Sequence, residues 1–462
     1  MALIEPSNRS SDDALATAPT ASPSVATLAR PGPSGPAIAA RLWQRFNGGF
    51  WTLLDQGVIS LGTFLVNVQL ARQLGAPEYG TFALLFGGFF LFQHFNASLI
   101  YYPLMLKLAT GKQERPSDLV FVSLALTALS TGAFALVVTT CLIVFGRSDI
   151  ALAAALYLVL WQMQDALRRA LLAEFRHRTA AIGDSITYIG AAAGIALLGS
   201  FHSPGVSNAL FVMAVPCALA IAVQVFQRPP SFPRGGNTRE LLHGFWTHGR
   251  WAFVNGVILI VTVQAFPWAL ATSDGLATAA AFQAVLNVVN LANPIVFGLS
   301  NIILPTVTQA HVAGGLRNAW RAARPYIIIG GTLLLFCVIP VTLMTHTVLV
   351  LFYGPNSPYA HLEHAVDLMM VAVAMNAVAE LISTYLHGVG SAKRAVWMNG
   401  ISFAVVALCV PLVGLHTVAG CALVLCVARV VRLIAGCWTV ARMLSSDDQG
   451  SHGHIEGTGR GR

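Results

Sequence analysis

The stretch Arg228-Pro-Pro-Ser-Phe-Pro-Arg-Gly-Gly-Asn237 divides this chain of 462 residues into two halves of the same kind. Its prolines and glycines deny a continuous helix. It lies in the longest polar connection, Gln227 to His248. Upstream are six apolar segments, at 48–71, 80–107, 118–145, 149–170, 179–200 and 205–227. Downstream are six more, at 249–272, 277–300, 325–349, 364–387, 395–413 and 417–440. Each is long enough to cross a hydrocarbon core ~30 Å thick as a helix. The expected fold is an all-α membrane protein of about 12 transmembrane helices, in two six-helix bundles around a central cavity.

The basic residues orient it. Of the 27 Lys and Arg residues, all but Arg72 and Arg147 fall in the termini, in every second connection or in the adjoining span ends, with Arg429 and Arg432 of the last span counted on the C-terminal side. Among them are Lys107, Arg168, Arg169, Arg176, Arg239, Arg250, Arg321 and Lys393. Such a side is cytoplasmic under the positive-inside rule, so both termini are placed there. Composition agrees: 56% hydrophobic and 10% charged, against roughly 25% charged in soluble domains. The net charge of +8 is spread over short loops. It fits anionic lipid headgroups rather than nucleic acid. All seven cysteines lie in apolar segments, as small hydrophobes do.

The expected organisation is a disordered cytoplasmic tail (1–45), an N-lobe (46–227), a cytoplasmic linker (228–248), a C-lobe (249–440) and a second disordered tail (441–462). The lobes read as parallel repeats. Trp51-x3-Asp55-Gln56-Gly57 matches Trp251-x3-Asn255-Gly256. Ser98-x4-Pro103 matches Ser300-x4-Pro305, and Ala173-x10-Asp184 matches Gly388-x10-Asn399.

The stretch from Asp55-Gln56-x3-Ser60 through Leu70-Ala-Arg-Gln-Leu-Gly-Ala-Pro-Glu-Tyr-Gly-Thr-Phe-Ala-Leu84 resembles the start of bacterial polysaccharide and O-antigen flippases. These belong to the multidrug/oligosaccharidyl-lipid/polysaccharide exporter superfamily. Ala97-Ser98-Leu99-Ile100-x2-Pro103-Leu104-Met105 and Arg168-Arg169-x2-Leu172-x3-Arg176-x3-Ala180-x3-Asp184 fit the same resemblance. It covers the first six spans well and the rest by topology. It implies a two-lobed, twelve-helix transporter that flips lipid-diphosphate-linked oligosaccharide by alternating access. It carries over no catalytic motif.

Ionisable and polar groups inside spans are costly in lipid and are therefore candidates for function. Substrate-binding candidates are Arg72, Arg429 and Arg432, because guanidinium matches phosphate geometry. The stripe Gln93-His94-x-Asn96 and the stripe Asn287-x2-Asn290-x2-Asn293 are candidates for a sugar-binding wall facing the cavity. Interhelical hydrogen bonding is the competing reading of both. Asp55 and Glu380 are coupling-ion candidates. A structural ion pair competes as the reading of each, for Glu380 with Arg429 or Arg432. No metal site, cofactor or catalytic residue is expected. No nucleotide-binding loop, zinc spacing or nucleophile elbow occurs.

The expected function is a flippase, a transporter and not an enzyme. Its expected partners are a lipid-diphosphate-linked oligosaccharide, membrane lipids, and polysaccharide polymerase or export proteins. A cation- or proton-coupled multidrug exporter of the same superfamily stays open. A membrane glycosyltransferase or polymerase lacks the sizeable outer loops it would need.

Overall fold

Helix α1 (Gly35–Gln73) ends where Gly75 turns extended, and Pro77 at the start of α2 (Ala76–Asn96) fixes the new helix direction. The rest follows the same helix-and-break logic: α3 (Tyr102–Thr110), α4 (Pro116–Val144), α5 (Ser148–Ala173), α6 (His177–Asp184), α7 (Gly190–Phe201) and α8 (Val206–Gln227). The second half holds α9 (Thr238–Ser273), α10 (Leu276–Val289), α11 (Asn293–Leu343), α12 (Thr345–Tyr353), α13 (Glu363–Gly388), α14 (Ala392–Val413) and α15 (Val418–Glu456). This computed structural model describes residues 35–110, 116–174, 176–201, 205–227, 238–413 and 417–456, and those residues include no strand. Residues 1–47 and 48–462 form separate units. Of the first, residues 35–47 are described, as helix.

Ten helical stretches are long and apolar enough to cross a membrane. One of them, Leu276–Leu343, covers two of the expected spans. The 48–71 span lies inside α1. The expected all-α architecture of about 12 spans in two bundles therefore holds. Three differences lie at its ends and joints. Helix α1 begins at Gly35, inside the stretch expected to be a tail, and α15 runs to Glu456, past the expected span end, because no proline follows Val440. Gly314 and Gly315 break α11, with Gly315 at φ 73°, a left-handed conformation that glycine adopts freely. Residues 228–237 of the dividing stretch lie outside the described residues.

In the first half α4, α5 and α8 pack together; in the second, α11, α13 and α15 do, with α14 against α15. The halves meet where α2 packs on α9 and α10. Large apolar side chains such as Leu129, Leu136, Phe145 and Phe226 point outward. Water would penalise that surface, and a bilayer favours it. Two helices contain π-turns, Ala97–Tyr101 between α2 and α3 and Ser185–Ile189 between α6 and α7. Such turns concentrate at functional sites because they redirect side chains within a helix.

Candidate functional site

Helix α5 carries Gln162-Met-Gln164-Asp165-Ala-Leu-Arg168-Arg169 near its C-terminal end, with Gln162, Gln164, Asp165 and Arg168 buried. Arg168 is held from three sides. One terminal nitrogen donates to Asp55 Oδ2 of α1 at 2.7 Å, and the other to Asp165 Oδ1 at 3.5 Å. Its Nε donates to Asp184 Oδ2, the last residue of α6 before the π-turn. Gln164 donates to the other Asp184 oxygen at 2.8 Å, and Gln93 of α2 donates to Asp165 Oδ2 at 3.3 Å. Arg169 closes on Asp165 at 3.3 Å. The fork of guanidinium donors is suited to several carboxylates at once. Buried ions persist only when paired in this way. Three carboxylates face two guanidinium groups, which leaves one negative charge in excess when all are ionised.

Gln93, Asp165, Arg168 and Arg169 of this cluster line a cavity of about 590 Å³, with Asp55 and Asp184 behind them. Phe86, Phe90, Tyr157, Trp161 and Tyr188 make the apolar wall, and Gln93, Asp165, Arg168 and Arg169 the polar one. The rings of Phe86, Tyr157 and Trp161 lie within 6.2 Å of one another. An apolar chamber with a few convergent polar groups is the common form of a small-molecule site.

The second half repeats the frame with other residues. Asn399 Nδ2 donates to Asn255 Oδ1 at 3.2 Å, in the positions equivalent to Asp184 and Asp55. The offset that relates Asp184 to Asn399 also relates Asp165 to Glu380. Glu380 of α13 accepts from Arg432 of α15 at 2.7 Å, and Asn376 accepts from the same guanidinium at 2.6 Å. The cation has thus moved from the α5 position to α15. Arg429, also buried, has no hydrogen-bond acceptor among the described residues. Helix α15 stays apolar from Val418 to Ser446, so neither arginine sits at a helix end.

At the end of the bundle away from Arg168, the halves are closed together. Arg72 Nε donates to Phe352 O at 2.5 Å and its terminal nitrogen to Leu351 O at 2.6 Å. These are carbonyls of the last turn of α12, which the helix itself leaves unsatisfied, and a cation there also meets the negative end of the dipole. Beside them Asn287 donates to Tyr79 Oη at 2.7 Å, and Tyr353 Oη donates to Ala284 O at 2.8 Å. A methyl group on Gly80 would stand 1.9 Å from Leu276 O, so α2 and α10 touch backbone to backbone. Arg147, the other exception to the charge pattern, bridges Asp149 and Glu78 at 3.2 Å each. The Asp149 hydrogen bond foremost, then the Glu78 charge, holds its pKa above the ordinary arginine value against some burial.

The candidates from sequence separate accordingly. Gln93 lines the cavity and Asp55 forms the ion pair. Asn96 is buried between helices, donating to Gln162 at 2.9 Å and accepting from Ser130 at 3.0 Å. His94 is exposed and pairs with Phe90 O of its own helix at 2.8 Å. Asn287 joins the closed end, and Asn293 donates to the exposed Asn290 at 3.0 Å. The two polar stripes therefore do not each face one cavity. Arg168 and Arg169, read from sequence as loop charges, are part of α5, and Arg168 and Asp165 are central to the cluster. The spacing Gln162-x-Gln164-Asp165-x2-Arg168 inside an apolar segment was the signal for them.

No protein-family model matches the chain, and no curated protein matches it. Solved structures share the fold. One is an inward-facing multidrug resistance MATE family transporter of the MOP superfamily, at TM-score 0.67 and 14% identity over 84% of this chain and 96% of that one. Another is a MOP superfamily transporter from Pyrococcus furiosus, described by the reverse polarity of its binding pocket, at TM-score 0.66, 12% identity, and 86% and 94% coverage. A third is a point mutant of a Vibrio cholerae MATE transporter, at TM-score 0.64, 15% identity, and 88% and 98% coverage. At these identities the likeness is one of fold: the two-bundle membrane fold of MOP superfamily transporters.

Proposed function

We propose that this chain is an alternating-access exporter of amphiphilic organic molecules, coupled to a proton or sodium ion at the Asp55–Arg168–Asp184 cluster. The observation that carries the reading is the cavity itself. Its aromatic wall suits apolar rings, and its polar wall of Asp165, Arg168 and Arg169 is backed by the buried Asp55 and Asp184, so that the cluster as a whole, not the wall alone, has one carboxylate in excess. A coupling cation that joins this cluster relieves the excess and loosens the grip of Arg168 on the carboxylates. The bundle is closed at the Arg72 end, which corresponds to an inward-facing state if the basic loops are cytoplasmic. The fold is shared with a multidrug resistance transporter in that state. The proposed location is a bacterial inner membrane, with both termini cytoplasmic.

A second reading is the flipping of a lipid-diphosphate-linked oligosaccharide, in company with polymerase or export proteins. One observation favours it: Arg429 is a buried cation that meets no hydrogen-bond acceptor among the described residues, the kind of group that a diphosphate would satisfy. Proteoliposomes with an imposed proton or sodium gradient separate the two. Gradient-driven movement of a cationic dye, abolished in Asp55→Asn, supports export of amphiphiles. Movement of a fluorescent lipid-diphosphate sugar, abolished in Arg429→Ala with dye transport absent, replaces the first reading by the second.

A further inference from the structure

We propose that His346, His361 and Glu363 form a binding site for a divalent transition-metal ion of the zinc class, apart from the cavity and independent of what the chain transports. His346 is the second residue of α12, Glu363 the first of α13, and His361 lies two residues before it in the connection. One donor atom from each lies within 4.8 Å of the others. His346 Nδ1 and Glu363 Oε1 are already 2.8 Å apart. The rings of His346 and His361 lie side by side, 6.1 Å between centroids and 27° between planes.

The geometry is that of a site needing only side-chain adjustment. Zinc bonds nitrogen and carboxylate oxygen at ~2.0–2.2 Å in a tetrahedron. Its ligand atoms then stand ~3.3–3.6 Å apart by that geometry, so a rotation of one exposed imidazole closes the set. The backbone frame is firm. Thr345 Oγ1 donates to Asp367 Oδ1 at 2.6 Å, which ties the start of α12 to the first turns of α13. That bond holds His346 opposite Glu363 regardless of any ion. Two imidazoles and one carboxylate suit zinc, cobalt or nickel. Calcium and magnesium take oxygen ligands in larger number. Three protein ligands leave a fourth position for water, and the half-exposed rim allows one: the His346 side chain is 60% exposed. An ion here would cross-brace α12 and α13. The other end of α12 is the one that Arg72 holds.

The experiment is a titration of the full-length chain, purified with any affinity tag removed, using Co²⁺ as a coloured probe and then Zn²⁺ in competition. One equivalent of Co²⁺ with the intense visible bands of four- or five-coordinate cobalt is expected, displaced by one equivalent of Zn²⁺. His346→Ala and His361→Ala should each weaken binding by at least about tenfold. His361→Gln serves as a milder loop variant with an unchanged melting profile. A His452→Ala/His454→Ala variant should keep the signal, because the tail histidines are not the site. The proposal is overturned if the double variant at His346 and His361 binds cobalt as before. It is equally overturned if the tail variant removes the signal, or if the spectrum is the pale one of octahedral cobalt.

Discussion

Asn399 donates to Asn255 across 3.2 Å in the frame where Asp184 and Asp55 both hold Arg168. The two halves therefore share a polar joint between equivalent helices but fill it differently. One is neutral and made by a single amide–amide bond; the other is ionic and depends on a cation from α5. The difference predicts how each half responds to substitution.

Arg168→Ser leaves Asp55 and Asp184 buried without their counter-ion, and Asp165 with Arg169 alone. Removing one partner of a buried ion pair costs about 3–5 kcal/mol. The variant is expected to melt well below the parent in detergent. Adding Asp55→Asn and Asp184→Asn rebuilds the neutral pattern of the second half and should restore most of the melting temperature, while gradient-driven transport stays absent. Thermal unfolding and proteoliposome transport, measured on the same preparations, check both parts. A triple variant that transports normally removes the cluster from coupling.

Arg72→Ala removes two hydrogen bonds across the halves. Bonds to a charged donor contribute about 1.5–3 kcal/mol each when well formed, and less here because Arg72 is exposed. The closed Arg72 end should open more often. Phe64 and Phe352 face each other across it, with ring centroids 4.9 Å apart. Cysteines at these two positions should cross-link with a short bismaleimide in the parent, and in lower yield with Arg72→Ala.

Gly80→Ala places a methyl group 1.9 Å from the Leu276 carbonyl oxygen, a contact that backbone cannot yield easily. The halves should then fail to close at that end, with loss of transport and normal insertion. A methyl at Gly88 meets nothing within 4 Å. Gly88→Ala should transport like the parent. Transport assays and membrane fractionation of the pair decide the point.

Arg432→Ala and Arg429→Ala are expected to differ. The first strips Glu380 and Asn376 of their donor and should lower the melting temperature as well as export. The second removes a cation with no acceptor among the described residues, so stability should stay level or rise while export falls. A melting temperature equally depressed in both would show that Arg429 is held by the fold rather than kept for a ligand.

Much of this architecture was legible in the chain. Spanning length, apolar composition and alternating loop charge are one-dimensional properties, and lipid enforces them segment by segment. Twelve spans, two halves and the Asp55–Asn255 and Asp184–Asn399 correspondences followed from spacing alone. Helix ends were less legible, because nothing in water or lipid stops α1 or α15 where the apolar stretch stops. The role of Arg168 was hidden for a related reason. Near the end of a span, a basic residue that anchors a loop and one that is buried look the same in sequence.

What only the tertiary structure decided is which polar residues meet. Gln93 and His94 are neighbours in the chain, yet one reaches Asp165 while the other stays exposed on its own helix. Arg72 and Phe352 are far apart in sequence, and only the packing of the halves brings a guanidinium to an unsatisfied helix end. Sequence determined the membrane fold because the hydrophobic effect acts on each span by itself. The site required three dimensions because hydrogen bonds and ion pairs are short-ranged, and their partners come from helices whose rotation about their own axes is set by packing.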